Sequence, residues 1–186
     1  MNVRGNILLR FISGKLGGLV GRMWKGRPYL SKAPTFPKNR KFSKMQMEHQ
    51  ERFQDAAAYA KGAIRDEASA GLYAVLAEKY RLTSYNVALR DFFRAPKVRE
   101  IDASSYTGKR GEEIVIRAVD DVEVLRVHVI IRKNGEVLEE GDAVREKYNK
   151  TLWHYEAQKD LGIEGCLIEV QAEDRPGNVT VKEFAL

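Results

Sequence analysis

The side chains able to do chemistry are few. There are three histidines, His49, His128 and His154, and one cysteine, Cys166. His128 is in phase with Arg126 and Arg132, opposite the apolar row Val127, Val129, Ile131, and His154 is in phase with Glu156, opposite Trp153 and Tyr155. Those are solvent-side positions on strands, where a histidine has no base or ligand role by default. Cys166 is in phase with Ile168 and Val170, which makes it a core thiol rather than a nucleophile. A lone cysteine excludes an intrachain disulfide and a cysteine metal cluster. It fits a reducing compartment, or a virion-like assembly made in the cytoplasm. Ser13-Gly14-Lys15-Leu16 is no phosphate loop, because Leu9 stands where the first glycine is needed and Leu16 where the hydroxyl is needed. Asp120, Asp121 and Asp174 could gather at the ends of a sandwich and hold Ca²⁺, which wants six to eight oxygens. Turn-forming aspartate is the preferred reading of all three. No Ser-His-Asp arrangement follows from spacing. The expectation is a non-catalytic protein without cofactor or metal.

The remaining chemistry is electrostatic. Residues 1–47 contain no acidic side chain and eleven basic ones: Arg4, Arg10, Lys15, Arg22, Lys25, Arg27, Lys32, Lys38, Arg40, Lys41 and Lys44. The whole chain is +6, so residues 48–186 carry −5. Segregation of this kind marks a segment that holds a polyanion, an acidic surface or a partner subunit. Phe11, Trp24, Tyr29, Phe36 and Phe42 are interleaved with the charges. In single-strand nucleic-acid grooves such rings stack on bases while Lys and Arg follow phosphates. In a protein-docking arm the Trp, Tyr and Arg are the anchors. The candidate partner- or polyanion-binding set is Arg4, Arg10, Lys15, Arg22, Trp24, Lys25, Arg27, Tyr29, Lys32, Lys38, Arg40 and Lys41. The competing reading packs the rings on the chain's own helices and leaves the charges as a solvated face.

The elements that must position these groups fall into three parts. Residues 1–42 form a basic arm, rich in glycine and proline, with a tight turn at Met23–Arg27 between extended runs Leu19–Trp24 and Tyr29–Lys32. Residues 43–95 form a helical unit. Ser43-Lys44-Met45-Gln46 is a capping box opening a helix over 44–65, with a stripe of Phe53, Ala57, Ala60 and Ile64. Asp66 or Ser69 caps a second helix with Leu72, Val75 and Leu76 on one face. Thr83-Ser84 opens a third, carrying Val87, Ala88, Leu89, Phe92 and Phe93, and Pro96 ends it. Residues 97–186 change period from about 3.6 to 2. Ile114, Ile116, Ala118; Leu125, Val127, Val129, Ile131; Trp153, Tyr155, Ala157; and Cys166, Ile168, Val170, Ala172 are inward rows. Asn134-Gly135 marks a hairpin, and 174–178 is a turn before a last strand, Val179–Phe184. About seven short strands so spaced predict an antiparallel β-sandwich. The fold class is therefore α+β in two parts: a basic arm with a small helical unit, then an all-β sandwich.

Ala118-Val119-Asp120-Asp121, the Val124–Ile131 alternation and Ala172-Glu173-Asp174-Arg175-Pro176-Gly177-Asn178 resemble the bacterial immunoglobulin-like and fibronectin type III-like modules. The resemblance covers residues 97–186 and implies a fold rather than an activity. Cys166 has no partner and Trp153 falls late, so the antibody-type disulfide and core tryptophan do not carry over. The opening, with Gly14–Gly21 and Trp24-Lys25-Gly26, resembles uncharacterised bacterial proteins, some of them phage-linked.

No run approaches the roughly 18–20 uncharged residues of a membrane span, and no small-residue cleavage site follows Ile7–Ile12. Cytoplasmic synthesis without a signal peptide is expected, with a virion as one destination. Three functions remain in order. The first is an assembly subunit, homo-oligomeric or in a hetero-complex, docked by its basic arm. The second is a nucleic-acid binder using that arm. The third, a carbohydrate-binding module, is disfavoured because the aromatics cluster in the arm and helices.

Overall fold

The structure is a computed structural model and describes residues 13–24, 26–36 and 41–186. It divides into two compact units, Met1–Met47 and Glu48–Leu186. The first holds a three-stranded antiparallel meander: β1 (Gly14–Leu16), β2 (Leu19–Trp24) and β3 (Arg27–Lys32), in that order. β2 and β3 occupy the two extended runs expected from the sequence, β3 starting at Arg27. β1 was not foreseen, because Gly14-Lys15-Leu16 is too short to show alternation. The turn to β2 uses Gly17 at φ +57°, a conformation glycine adopts without steric cost.

In the second unit three helices precede two sheets. Helix α1 (Lys44–Ala63) starts in the first unit and runs on through the second. Its capping box forms as spaced: Gln46 N–H donates to Ser43 Oγ at 3.3 Å, and Ser43 N–H to Gln46 Oε1 at 3.0 Å. Helix α2 (Glu67–Tyr80) is capped by Asp66, and α3 (Ser84–Phe92) by Thr83. The expected faces are buried in part: Ala60 on α1 and Val87 and Ala88 on α3 stand where the spacing placed them, and the rest of the α1 and α2 faces shifts. On α1 the buried face is Ala56, Ala60 and Ala63, while Phe53 stays half exposed and stacks on Phe93 at 6.4 Å. On α2 it is Tyr73 and Ala77, while Val75 faces out. Ala60, Ala63 and Ala77 pack with Tyr73, Val87 and Ala88 in one core, where the buried Tyr73 ring takes the place of the larger aliphatic stripe. A buried chain of hydroxyls and carboxylate crosses this core: Tyr59 Oη to Tyr73 Oη at 2.7 Å, and Tyr73 O–H to Asp91 Oδ2 at 2.6 Å.

The sheets are antiparallel. One has the order β4 (Lys97–Asp102), β5 (Glu113–Val119), β9 (Leu152–Glu156), β8 (Val144–Arg145). The other has β11 (Val179–Ala185), β10 (Cys166–Asp174), β6 (Val124–Lys133), β7 (Glu136–Asp142). Ile114, Ile116, Trp153 and Tyr155 from the first meet Val127, Val129, Ile168 and Val170 from the second in one core, so the sheets form a sandwich. The inward rows stand where the alternation placed them, with one exception. A register shift at Glu173/Asp174 skips Leu125, turning Val124 inward and leaving Leu125 exposed. Asn134 (φ 52°) and Gly135 (φ 85°) make the β6–β7 turn, both central residues at positive φ as the hairpin demands.

The helices dock on the sandwich end formed by the β5–β6 and β10–β11 turns. Arg90 and Arg94 both reach Asp121 Oδ2 at 2.7 Å, and Tyr80 O–H donates to the Asp121 carbonyl at 3.2 Å. Asn178 Nδ2 donates to the Phe92 carbonyl at 3.2 Å, and Thr180 O–H to the Pro96 carbonyl at 2.6 Å. Hydrogen bonds thus bridge the expected boundary at residues 96–97. The turn residues that carried the resemblance are the groups that hold the helices. Among the described residues no helix is long and apolar enough to cross a membrane.

Candidate interaction surface

Backbone pairing in the meander decides which side chains share a face. Arg22 is opposite Tyr29 and Trp24 opposite Arg27, while Val20 is opposite both Lys15 and Ser31. Partners directly across a ladder lie on one face, and faces alternate along a strand. Lys15, Arg22, Trp24, Arg27 and Tyr29 therefore project from the same side. Leu16, Leu19, Met23, Leu30 and Lys32 project from the other.

Side chains on both sides are exposed. Trp24 is 66% exposed on the basic face, and Leu16 is 68% and Met23 51% exposed on the apolar one. Tyr29 is half-buried, and Lys15, Arg22 and Arg27 are exposed. Arg22 and Arg27 are diagonal neighbours across β2–β3, at a spacing of roughly 7–8 Å where like charges repel. With no acidic residue in 1–47, the segment has no counter-charge of its own. An anionic group placed over Arg22, Arg27 and Lys15 would relieve that repulsion, and Trp24 and Tyr29 offer rings beside it. The apolar face asks for cover of a different kind, since a three-stranded sheet needs a buried hydrophobic side for stability.

Of the other candidates from the sequence, Lys32 lies on the apolar side and Lys41 is exposed beyond the strands. Arg4, Arg10, Lys25, Lys38 and Arg40 lie outside the described residues. The sheet thus brings five of the twelve candidates onto one surface. The alternating phase of Leu19–Trp24 was the signal for it. The exposed apolar face was not anticipated.

The remaining reactive groups in the second unit are engaged structurally. His128 Nδ1 is 2.6 Å from Asp142 Oδ1, beside Arg126. His154 stands 3.5 Å from Glu113 and 3.6 Å from Glu146, at the wall of an open cleft of about 560 Å³ that no serine or cysteine lines. Cys166 is buried and its thiol donates to the Gly162 carbonyl at 3.2 Å. Glu139, which sequence reading passed over, is buried and accepts from Tyr155 O–H and Gln158 N–H, each at 2.6 Å, and from Lys159 N–H at 3.1 Å. Asp121 does not join Asp120 and Asp174, since its side chain turns to Arg90 and Arg94. Burial pushes the Asp121 carboxyl up, but the hydrogen bonds from those two arginines more than offset it and hold it below the usual range.

No family model matches the chain, and no curated protein matches it. Among solved structures it is similar to the crystal structure of an engineered protein, with 22% identity and a TM-score of 0.33 over 48% of this chain. The chain spans 20% of that protein's length. A likeness of that extent assigns neither a family nor an activity.

Proposed function

We propose that this chain is a non-catalytic interaction subunit. Its N-terminal sheet docks into an assembly, of the phage-virion kind, while the sandwich is packed or displayed as an immunoglobulin-like module. The observation that carries the docking reading is the pair of unlike faces, each with exposed side chains, on one small sheet. A protein partner can cover Leu16, Leu19 and Met23 with apolar surface, which nucleic acid cannot. The partner's anionic surface has a source in the protein itself, because residues 48–186 of any second copy carry −5. Support for the immunoglobulin-like module comes from the strand order. The first, second, fifth and sixth strands of the sandwich form one sheet in the order 1-2-6-5, and the third, fourth, seventh and eighth form the other in the order 8-7-3-4. That is the ABED and GFC arrangement with one added strand.

Nucleic acid is the second reading, favoured by Lys15, Arg22, Trp24, Arg27 and Tyr29 sharing one face. The two separate in one experiment: the size of the purified full-length particle, with and without nuclease and at raised salt. A particle larger than one chain that survives nuclease and is lost on deleting residues 1–42 supports the assembly reading. A particle that shrinks with nuclease supports the alternative. In that case four engaged phosphates should give a log–log salt slope of about −2.8 on single strands. A nuclease-indifferent monomer whose residues 1–42 resist protease would overturn both.

A further inference from the structure

Where α3 ends against the sandwich, three carboxylates converge. One oxygen each from Asp91, Asp120 and Asp174 lie within 4.8 Å of one another. Asp91 comes from the last turn of α3, Asp120 from the β5–β6 turn and Asp174 from the end of β10. Asp91 and Asp174 are each 1% exposed. Asp174 is held by Asn178, whose N–H and Nδ2 donate to its two oxygens at 2.7 and 2.8 Å, and Asp120 Oδ2 by the N–H groups of Val122 and Glu123 at 2.9 and 3.1 Å. Asp91 spends Oδ2 on Tyr73, and its buried Oδ1 has no hydrogen-bond partner among the described residues.

A buried carboxylate oxygen left without a partner is costly, and two buried carboxylates beside a third are more so. The position of Asp91 adds to this, since the C-terminal turn of a helix is its negative end and favours cations. Arg175 acts on Asp91 from nearby, yet its guanidinium is committed to Glu123 at 2.9 and 3.2 Å and to Ser69 Oγ at 3.3 Å.

We propose that Asp91, Asp120 and Asp174 bind a hard divalent cation, of the Ca²⁺ type, at the seam between the helices and the sandwich. All three ligand atoms are oxygen, as such ions require, and ligand oxygens around a metal at about 2.3–2.6 Å stand no more than roughly 5 Å apart. The half-buried Asp120 leaves a solvent side through which water completes the coordination shell. The ligands come from a helix and two turns of the sandwich, so the ion clamps one to the other.

The test uses the full-length protein stripped with chelator, then titrated with Ca²⁺ or Mg²⁺ alone while heat and thermal unfolding are followed. Binding of one ion per chain is expected, calcium tighter than magnesium. The Tm should rise by about 5–10 °C when the ion is at a hundred times its Kd. Asp91→Asn should abolish that rise, while Asp142→Asn, at a surface carboxylate elsewhere, should keep it. Should Asp91→Asn fail to fold, Asp120→Asn is the second variant and must weaken binding by about tenfold or more. The proposal is overturned if neither ion shifts the wild type; a greater stability of Asp91→Asn without metal would then show that protons fill the cluster. It is equally overturned if the metal-induced rise survives in the variant that folds.

Discussion

At the scale of single residues, the second unit is held by buried polar groups that look out of place in the sequence. Glu139 lies opposite Ile131, an inward position, and is tolerated there because it accepts three hydrogen bonds. Glu139→Leu would leave two backbone N–H groups and the Tyr155 hydroxyl without an acceptor. Losing a buried partner costs about 1–3 kcal/mol. Denaturant unfolding should therefore show a lower midpoint with an unchanged slope. The Tyr73 hydroxyl plays the same part in the helical core, donating to Asp91 and contacting Tyr59. Tyr73→Phe keeps the ring and deletes that bridge, so a loss of about 1–3 kcal/mol is again expected. A stability change near zero would mean the chain of hydroxyls contributes nothing. Neither role was visible in the sequence. A glutamate in an alternating strand and an aspartate near a helix end read as solvent-facing until their partners, many residues away, are known.

At the scale of elements, legibility followed locality. The cap of α1, the caps Asp66 and Thr83 and the Asn134-Gly135 turn depend on residues within a few positions of each other, and all formed as spaced. The period-2 rows were equally plain, because alternation fixes a strand's phase without knowledge of its neighbours. What failed was phase where the partner decides it. Leu125 is turned out by a shift in pairing with β10, and the alanine-rich faces of α1 and α2 gave too weak a signal to choose Ala56 over Ala57 or Tyr73 over Val75. The docking of helices on the sandwich was also illegible, since Asp121 and Asn178 read as turn residues. Their long-range role leads to a prediction. The core of the sandwich lies wholly within residues 97–186, so that fragment expressed alone should fold cooperatively. Without Arg90, Arg94 and the Phe92 carbonyl, it should exchange amide hydrogens faster at the 120–123 and 174–178 turns than the full chain does. An unfolded fragment would show that the helices are required for the sandwich.

At the scale of the whole molecule, charge is the organising fact: +11 on residues 1–47 against −5 on the remainder. The sheet gives that charge a shape, gathering Lys15, Arg22 and Arg27 beside Trp24 and Tyr29, with exposed Leu16, Leu19 and Met23 on the other side. The central claim is that this sheet is a docking element for another protein surface. Trp24→Ala tests it most directly, measured by sedimentation velocity alongside thermal unfolding of both proteins. The predicted result is a smaller particle for the variant, with the unfolding of the sandwich moved by no more than about 0.5 kcal/mol, as for a surface change. A wild type that sediments as a monomer, or a variant that keeps its assembly while the sandwich loses stability, would contradict the claim.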